Sequence, residues 1–236
     1  VATTQQLLEQ GLAHHKAGRL DRAAQIYQGI LNTEPRQAEA LHLLGFALYQ
    51  GGKAIDAIEL IEKAVEVDPS KIAYWQNLAE TCRAAGQLEK SVGAYRAAIE
   101  IAPDNPDLYS NLGFTLGAMG RPGEAEDCYR RALELAPLSV DLHVMLGVVL
   151  KEQGDLQGAL SAYRRALELE PNHAVAHANM GTVLQMQKKS DEAFEAYRRA
   201  YRLQPSFHRQ ILHHMASMGS GSMWLDLSRS REALSE

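Results

Sequence analysis

Small and large apolar residues alternate along this chain in a pattern that returns every 34 residues. With rows of 34 begun at Thr4, Ala38, Ile72, Pro106, Val140 and Ala174, the eighth position reads Gly11, Gly45, Ala79, Gly113, Gly147 and Gly181. Position 20 reads Ala23, Ala57, Ser91, Ala125, Ala159 and Ala193, and position 27 is Ile30 and then Ala64, Ala98, Ala132, Ala166 and Ala200. Position 24 is large throughout: Tyr27, Ile61, Tyr95, Tyr129, Tyr163 and Tyr197. Helices cross closely only where side chains are nearly absent, and large residues facing small ones interlock. The pattern predicts a helix over roughly the first 14 residues of each row, a turn, and a second helix over about the next 14.

Punctuation falls where this reading needs it. Gly18, Gly52, Gly86, Gly120 and Gly154 mark the turns, because glycine accepts the left-handed conformation that ends a helix. Lys188 breaks that series, so a stiffer or strained corner is expected there. Asp21, Asp56, Asp155 and Asp191 suit the positive end of the second helix. Pro35, Pro69, Pro103, Pro137, Pro171 and Pro205 then deny that helix a further turn. A helix pair cannot bury its own apolar face, so each must stack on its neighbours.

A 34-residue helix–turn–helix unit in six tandem copies resembles the tetratricopeptide repeat, over about residues 4–207. The resemblance implies an all-α fold, a right-handed α-solenoid of six units forming one cooperative domain. Residues 208–236 are expected to supply a capping helix, from about Phe207 to Ala216, and a tail. Met223, Trp224, Leu225 and Leu227 follow the break Met218-Gly219-Ser220-Gly221-Ser222, an apolar segment expected to fold back on the cap or to join copies into a homo-oligomer.

Composition narrows the function classes. A formal net charge of -5 does not suit tracking of nucleic-acid phosphates, and no apolar run approaches a membrane span. The amino terminus lacks a signal-peptide pattern, and Cys82 and Cys128, at non-equivalent row positions, are expected as reduced thiols. A cytoplasmic location is therefore expected. Opening on Val1 rather than Met, the sequence is expected to continue upstream in its parent protein. No phosphate loop, nucleophile motif or specific metal spacing is present, so neither catalysis nor a cofactor is expected. His173 and His177 stand four apart, but His177 shares position 4 with Trp75, Tyr109 and His143, where packing or a hydrogen bond accounts for it.

In the family that this chain resembles, partners lie on a concave surface formed mainly by the first helix of each unit, at positions 2, 5, 6, 9, 12 and 13. Here those positions offer Leu8, Leu12, His42, Leu43, Phe46 and Tyr49 in the first two rows, and Phe114, Val144, Met145 and Val148 further on. The lysines that grip an acidic chaperone terminus, at positions 2 and 5, are missing. The asparagine ladder known from the repeat arm of O-linked N-acetylglucosamine transferase is matched at position 6 by Asn77, Asn111 and Asn179 and broken by Glu9, Leu43 and Met145. The resemblance thus implies a non-catalytic scaffold that holds a peptide or partner helix in an apolar groove. The alternative is the substrate-recognition arm of a larger enzyme, such as a glycosyltransferase or sulfotransferase.

Overall fold

The computed structural model describes residues 2–207. Among them are twelve α-helices and no strand: α1 Thr4–Lys16, α2 Leu20–Thr33, α3 Ala38–Gln50, α4 Ala54–Val67, α5 Ile72–Ala84, α6 Leu88–Ile101, α7 Pro106–Ala118, α8 Pro122–Leu135, α9 Val140–Glu152, α10 Leu156–Leu169, α11 Ala174–Met186 and α12 Ser190–Leu203. The fold is an all-α solenoid, as the 34-residue rows predict. The odd-numbered helices, 13 residues each, are the first helices of the rows, and the even-numbered ones have 14. A short 3-10 turn, Pro205–Phe207, follows α12. The rest of the expected cap and the tail, 208–236, lie outside the described residues.

The chain divides into two compact units at Met119/Gly120, the first holding α1–α7 and the second α8–α12. Within each, every helix packs on the next in sequence, and α1 also touches α3, α3 touches α5, and α9 touches α11. Neighbouring odd helices thus form one layer, to which each even helix adds a second.

Close crossing follows the small-against-large columns. A methyl added to Gly45 would stand 2.6 Å from Ile61 Cγ1 and 3.1 Å from the Ala57 carbonyl oxygen. At Gly147 it would meet the Tyr163 ring at 2.5 Å. Tyr27, Ile61, Tyr163 and Tyr197 are completely buried or nearly so, each over the position-8 glycine of its own pair. Burial pushes the Tyr27 hydroxyl up to about 12, with Glu39 adding to the shift.

Helix ends carry local signals. Thr3 and Gln6 form a reciprocal capping box on α1, Asp155 Oδ1 accepts the Gly158 N–H at 2.9 Å on α10, and Pro106 and Pro122 occupy first turns. Asp21, Asp56 and Asp191 lie in the first turns of α2, α4 and α12. The five turn glycines have φ between +70° and +85°, and Lys188 adopts the same left-handed conformation at +61°. The sixth turn keeps the shape of the others, and the strain falls on a residue with a Cβ.

Candidate functional site

The odd-helix layer of the first unit gathers aromatic and hydrogen-bonding side chains into one connected strip. It begins on α1, where buried His15 lies 5.5 Å from the Phe46 ring of α3 and its Nε2 is 2.8 Å from Gln50 Oε1. On α3, His42 and Phe46 stack with centroids 6.3 Å apart, and Phe46 lies 6.2 Å from Tyr49. One turn separates these residues, so a helix sets them on one face. From α5, the Tyr74 ring approaches His42 to 4.5 Å, and Asn77 Nδ2 donates to His42 Nε2 at 2.7 Å.

A polar thread continues the strip to α7. The Tyr49 hydroxyl donates to Glu80 Oε1 at 3.4 Å, Glu80 lies 3.8 Å from the Arg83 guanidinium, and Arg83 covers the Phe114 ring at 5.2 Å. Burial, and next the nearby His15, pull His42 down to about 4. The ring is then neutral at ordinary pH, with Nε2 free to accept from Asn77. Tyr49 is pushed up by burial and then by Glu80.

The residues expected at the site take distinct places. Leu8 and His42 are buried, His42 in the seam between α3 and α5. Leu12, Leu43, Phe46, Tyr49 and Asn77 are half-buried, whereas Asn111 and Phe114 are exposed, Phe114 at 49%. His42, Phe46, Tyr49 and Asn77 meet directly, and Phe114 joins them through Glu80 and Arg83. In the second unit Met145 is exposed, Val148 and Asn179 are half-buried, and Val144 is buried. Asn77 spends an amide hydrogen on His42, so one rung of the expected ladder is engaged within the protein. His15, Gln50, Glu80 and Arg83 also belong to the strip, at positions 12, 13, 9 and 12 of their rows; positions 9 and 12 are those of Phe46 and Tyr49.

Position 4 has a separate task. Trp75 Nε1 donates to the Pro69 carbonyl at 2.9 Å, and Tyr109 donates to Pro103 at 3.0 Å. His143 Nε2 lies 3.0 Å from the Pro137 oxygen, and His177 Nε2 lies 2.9 Å from that of Pro171. Each ring ties the first helix of its row to the proline ending the row before. His173 caps α11, its Nδ1 accepting the Ala176 N–H at 3.1 Å, so the His173/His177 pair is turned to two structural partners. Among the described residues no group of three His, Cys, Asp or Glu side chains could hold a metal ion. No helix of the described residues is long and apolar enough to cross a membrane. Neither Cys82 nor Cys128 is in a disulfide, and burial, followed by Glu62, pushes Cys82 up to about 11.

The strip leaves the Phe46 and Tyr49 rings partly open and the Phe114 ring exposed. Residues 2–218 match the family described as the cilia and flagella-associated protein 70 C-terminal domain, a tetratricopeptide-repeat domain. No curated protein matches the chain in sequence. Among solved structures, the MamA protein is 24% identical with a TM-score of 0.67, the match covering 72% of this chain and 93% of that one. YrrB, described as a TPR protein with an unusual peptide-binding site, is 23% identical over 80% of this chain and 97% of its own, with a TM-score of 0.66. PilF of Pseudomonas aeruginosa is 17% identical over 86% of this chain and 92% of its own, with a TM-score of 0.68. At these identities the likeness is one of fold.

Proposed function

Since this chain belongs to the tetratricopeptide-repeat family of the cilia and flagella-associated protein 70 C-terminal domain, we propose that it is a protein-interaction module, non-catalytic in itself, holding a partner's peptide or helix on the odd-helix layer of its first unit. The observation that carries this reading is the partly exposed aromatic strip of Phe46, Tyr49 and Phe114, in which His15 and His42 hold Phe46, Phe46 and Glu80 hold Tyr49, and Arg83 lies over Phe114. Rings already held in place lose little freedom when a partner covers them. Covering about 400 Å² of apolar surface contributes on the order of 10 kcal/mol before association costs, which leaves room for micromolar binding. Asn111, exposed beside Phe114 on α7, adds a donor and an acceptor for a bound backbone. The thiols of Cys82 and Cys128 suit a cytoplasmic setting, and the net charge of -5 favours protein over nucleic acid as partner.

The reading is tested by selecting phage-displayed peptides on the full chain and measuring the selected peptides by fluorescence anisotropy. Phe114→Ala, at an exposed position, is expected to weaken binding by roughly tenfold or more without lowering the melting temperature. Affinities unmoved by Phe114→Ala and by Phe46→Ala would remove the odd-helix layer as the site.

A further inference from the structure

Two grooves of the second unit repeat each other one row apart. One, of 770 Å³, lies among α8, α9 and α10, and the other, of 570 Å³, among α10, α11 and α12. Leu167, Met180 and Leu184 floor the second groove, and the same row positions floor the first as Leu133, Leu146 and Leu150.

Their charges set the second groove apart. In the first unit the equivalent place is bridged, because Lys90 of α6 reaches Glu62 of α4 at 2.8 Å. The corresponding residues of the second groove are Glu192 and Arg164, with the signs exchanged, and no bridge forms between them. Glu192 lies instead 3.9 Å from Lys189. The groove's other acids are also answered from their own helices, Glu168 by Arg165 at 2.8 Å and Glu195 by Arg198 at 2.7 Å. Arg164 and Arg199, both exposed on the groove walls, have no ion-pair partner among the described residues. Among the described residues, two guanidinium groups without an ion-pair partner therefore flank an apolar floor.

We propose that this groove is a second docking site, taking a segment of a partner protein in which an apolar side chain stands between carboxylates. The volume is in the range of about 300–1,000 Å³ usual for pockets that enclose a ligand. Leu167, Met180 and Leu184 accept the apolar group, and the methionine adapts to its shape. The guanidinium forks of Arg164 and Arg199 match carboxylate geometry, which decides the acidic flanks. None of these residues belongs to the aromatic strip, so this site stands or falls independently of it.

The probes are fluorescein-labelled heptapeptides with Leu, Met, Phe or Trp at the centre and Asp or Glu on both sides, each paired with its Asn/Gln counterpart. On the full chain, the acidic peptides are expected to bind saturably, more weakly as salt rises, and in preference to the amide forms. The double variant Arg164→Gln/Arg199→Gln, exposed on helix surfaces, is expected to bind them at least about tenfold more weakly, and Phe114→Ala no differently from the unmodified chain. The proposal is overturned if no acidic peptide binds below about 1 mM, or if the amide forms bind equally well. It is also overturned if Phe114→Ala abolishes binding while the arginine variant does not. Peptides that bind only after Trp224→Ala would make the chain's own carboxy-terminal segment the occupant, which equally removes a partner protein from this groove.

Discussion

Ser91 stands in a column otherwise made of alanine, at the point where α6 crosses its neighbour. It is completely buried, and its Oγ finds no hydrogen-bond partner. A buried hydroxyl without a partner costs about 1–3 kcal/mol, and alanine fills the same place five times over in this chain. Ser91→Ala is therefore expected to raise unfolding stability by about 1 kcal/mol, read from the urea midpoint at constant slope. A lower midpoint would mean that the hydroxyl is satisfied in solution. Residues of this kind were legible from the column alone, because close crossing selects for size. Site residues were less so. The family's pattern turns position 5 towards a partner, yet Leu8, His42, Val144 and Ala178 are buried there, His42 in the seam against Tyr74 and Asn77 of the next odd helix. Position 9 lies one turn further along and keeps Phe46 and Phe114 partly open. A single helix's periodicity cannot separate a seam from a face, since that depends on where the next row lands.

At the scale of elements, the turns show how strongly stacking imposes shape. Five turns use glycine, and the sixth forces Lys188 into the same left-handed conformation at φ +61°. For a residue with a Cβ this conformation costs roughly 1–2 kcal/mol, and glycine recovers part of that at the expense of greater freedom when unfolded. Lys188→Gly is expected to stabilise the second unit by about 1 kcal/mol, visible as a higher melting temperature. A decrease would show that the lysine side chain contributes more than its backbone loses. The corner's departure was legible in sequence, whereas its geometry was not: the absence of glycine did not reshape the turn. The position-4 ties to Pro69, Pro103, Pro137 and Pro171 were only half legible. Trp, Tyr and His share a ring that can donate a hydrogen bond, but the acceptor is a backbone carbonyl that no side-chain pattern marks.

Across the whole molecule the two units present different chemistry. The first offers aromatic rings steadied by buried imidazoles, and the second offers arginines over aliphatic floors. Both units nevertheless hide a histidine that burial keeps neutral, His42 in the first and His177 in the second. For His42 the ordinary value of 6.5 falls to about 4 in the folded chain, so between those values the unfolded chain takes up a proton that the folded one refuses. Its contribution is complete above pH 6.5 and is lost as pH falls towards 4, a change of up to about 3 kcal/mol at 1.36 kcal/mol per unit. His177, also lowered chiefly by burial, acts in the same direction. Carboxylates protonate near the lower end of this range, so the slope must be read as a difference between proteins. His42→Gln keeps an acceptor for Asn77 and removes the titration. Urea midpoints of the unmodified chain are expected to fall more steeply than those of His42→Gln between pH 6.5 and 4.5, and parallel slopes would show that the imidazole takes up its proton in place. The steeper fall, in contrast, would mean that the ring supporting Phe46 has to stay neutral for the aromatic strip to keep its shape.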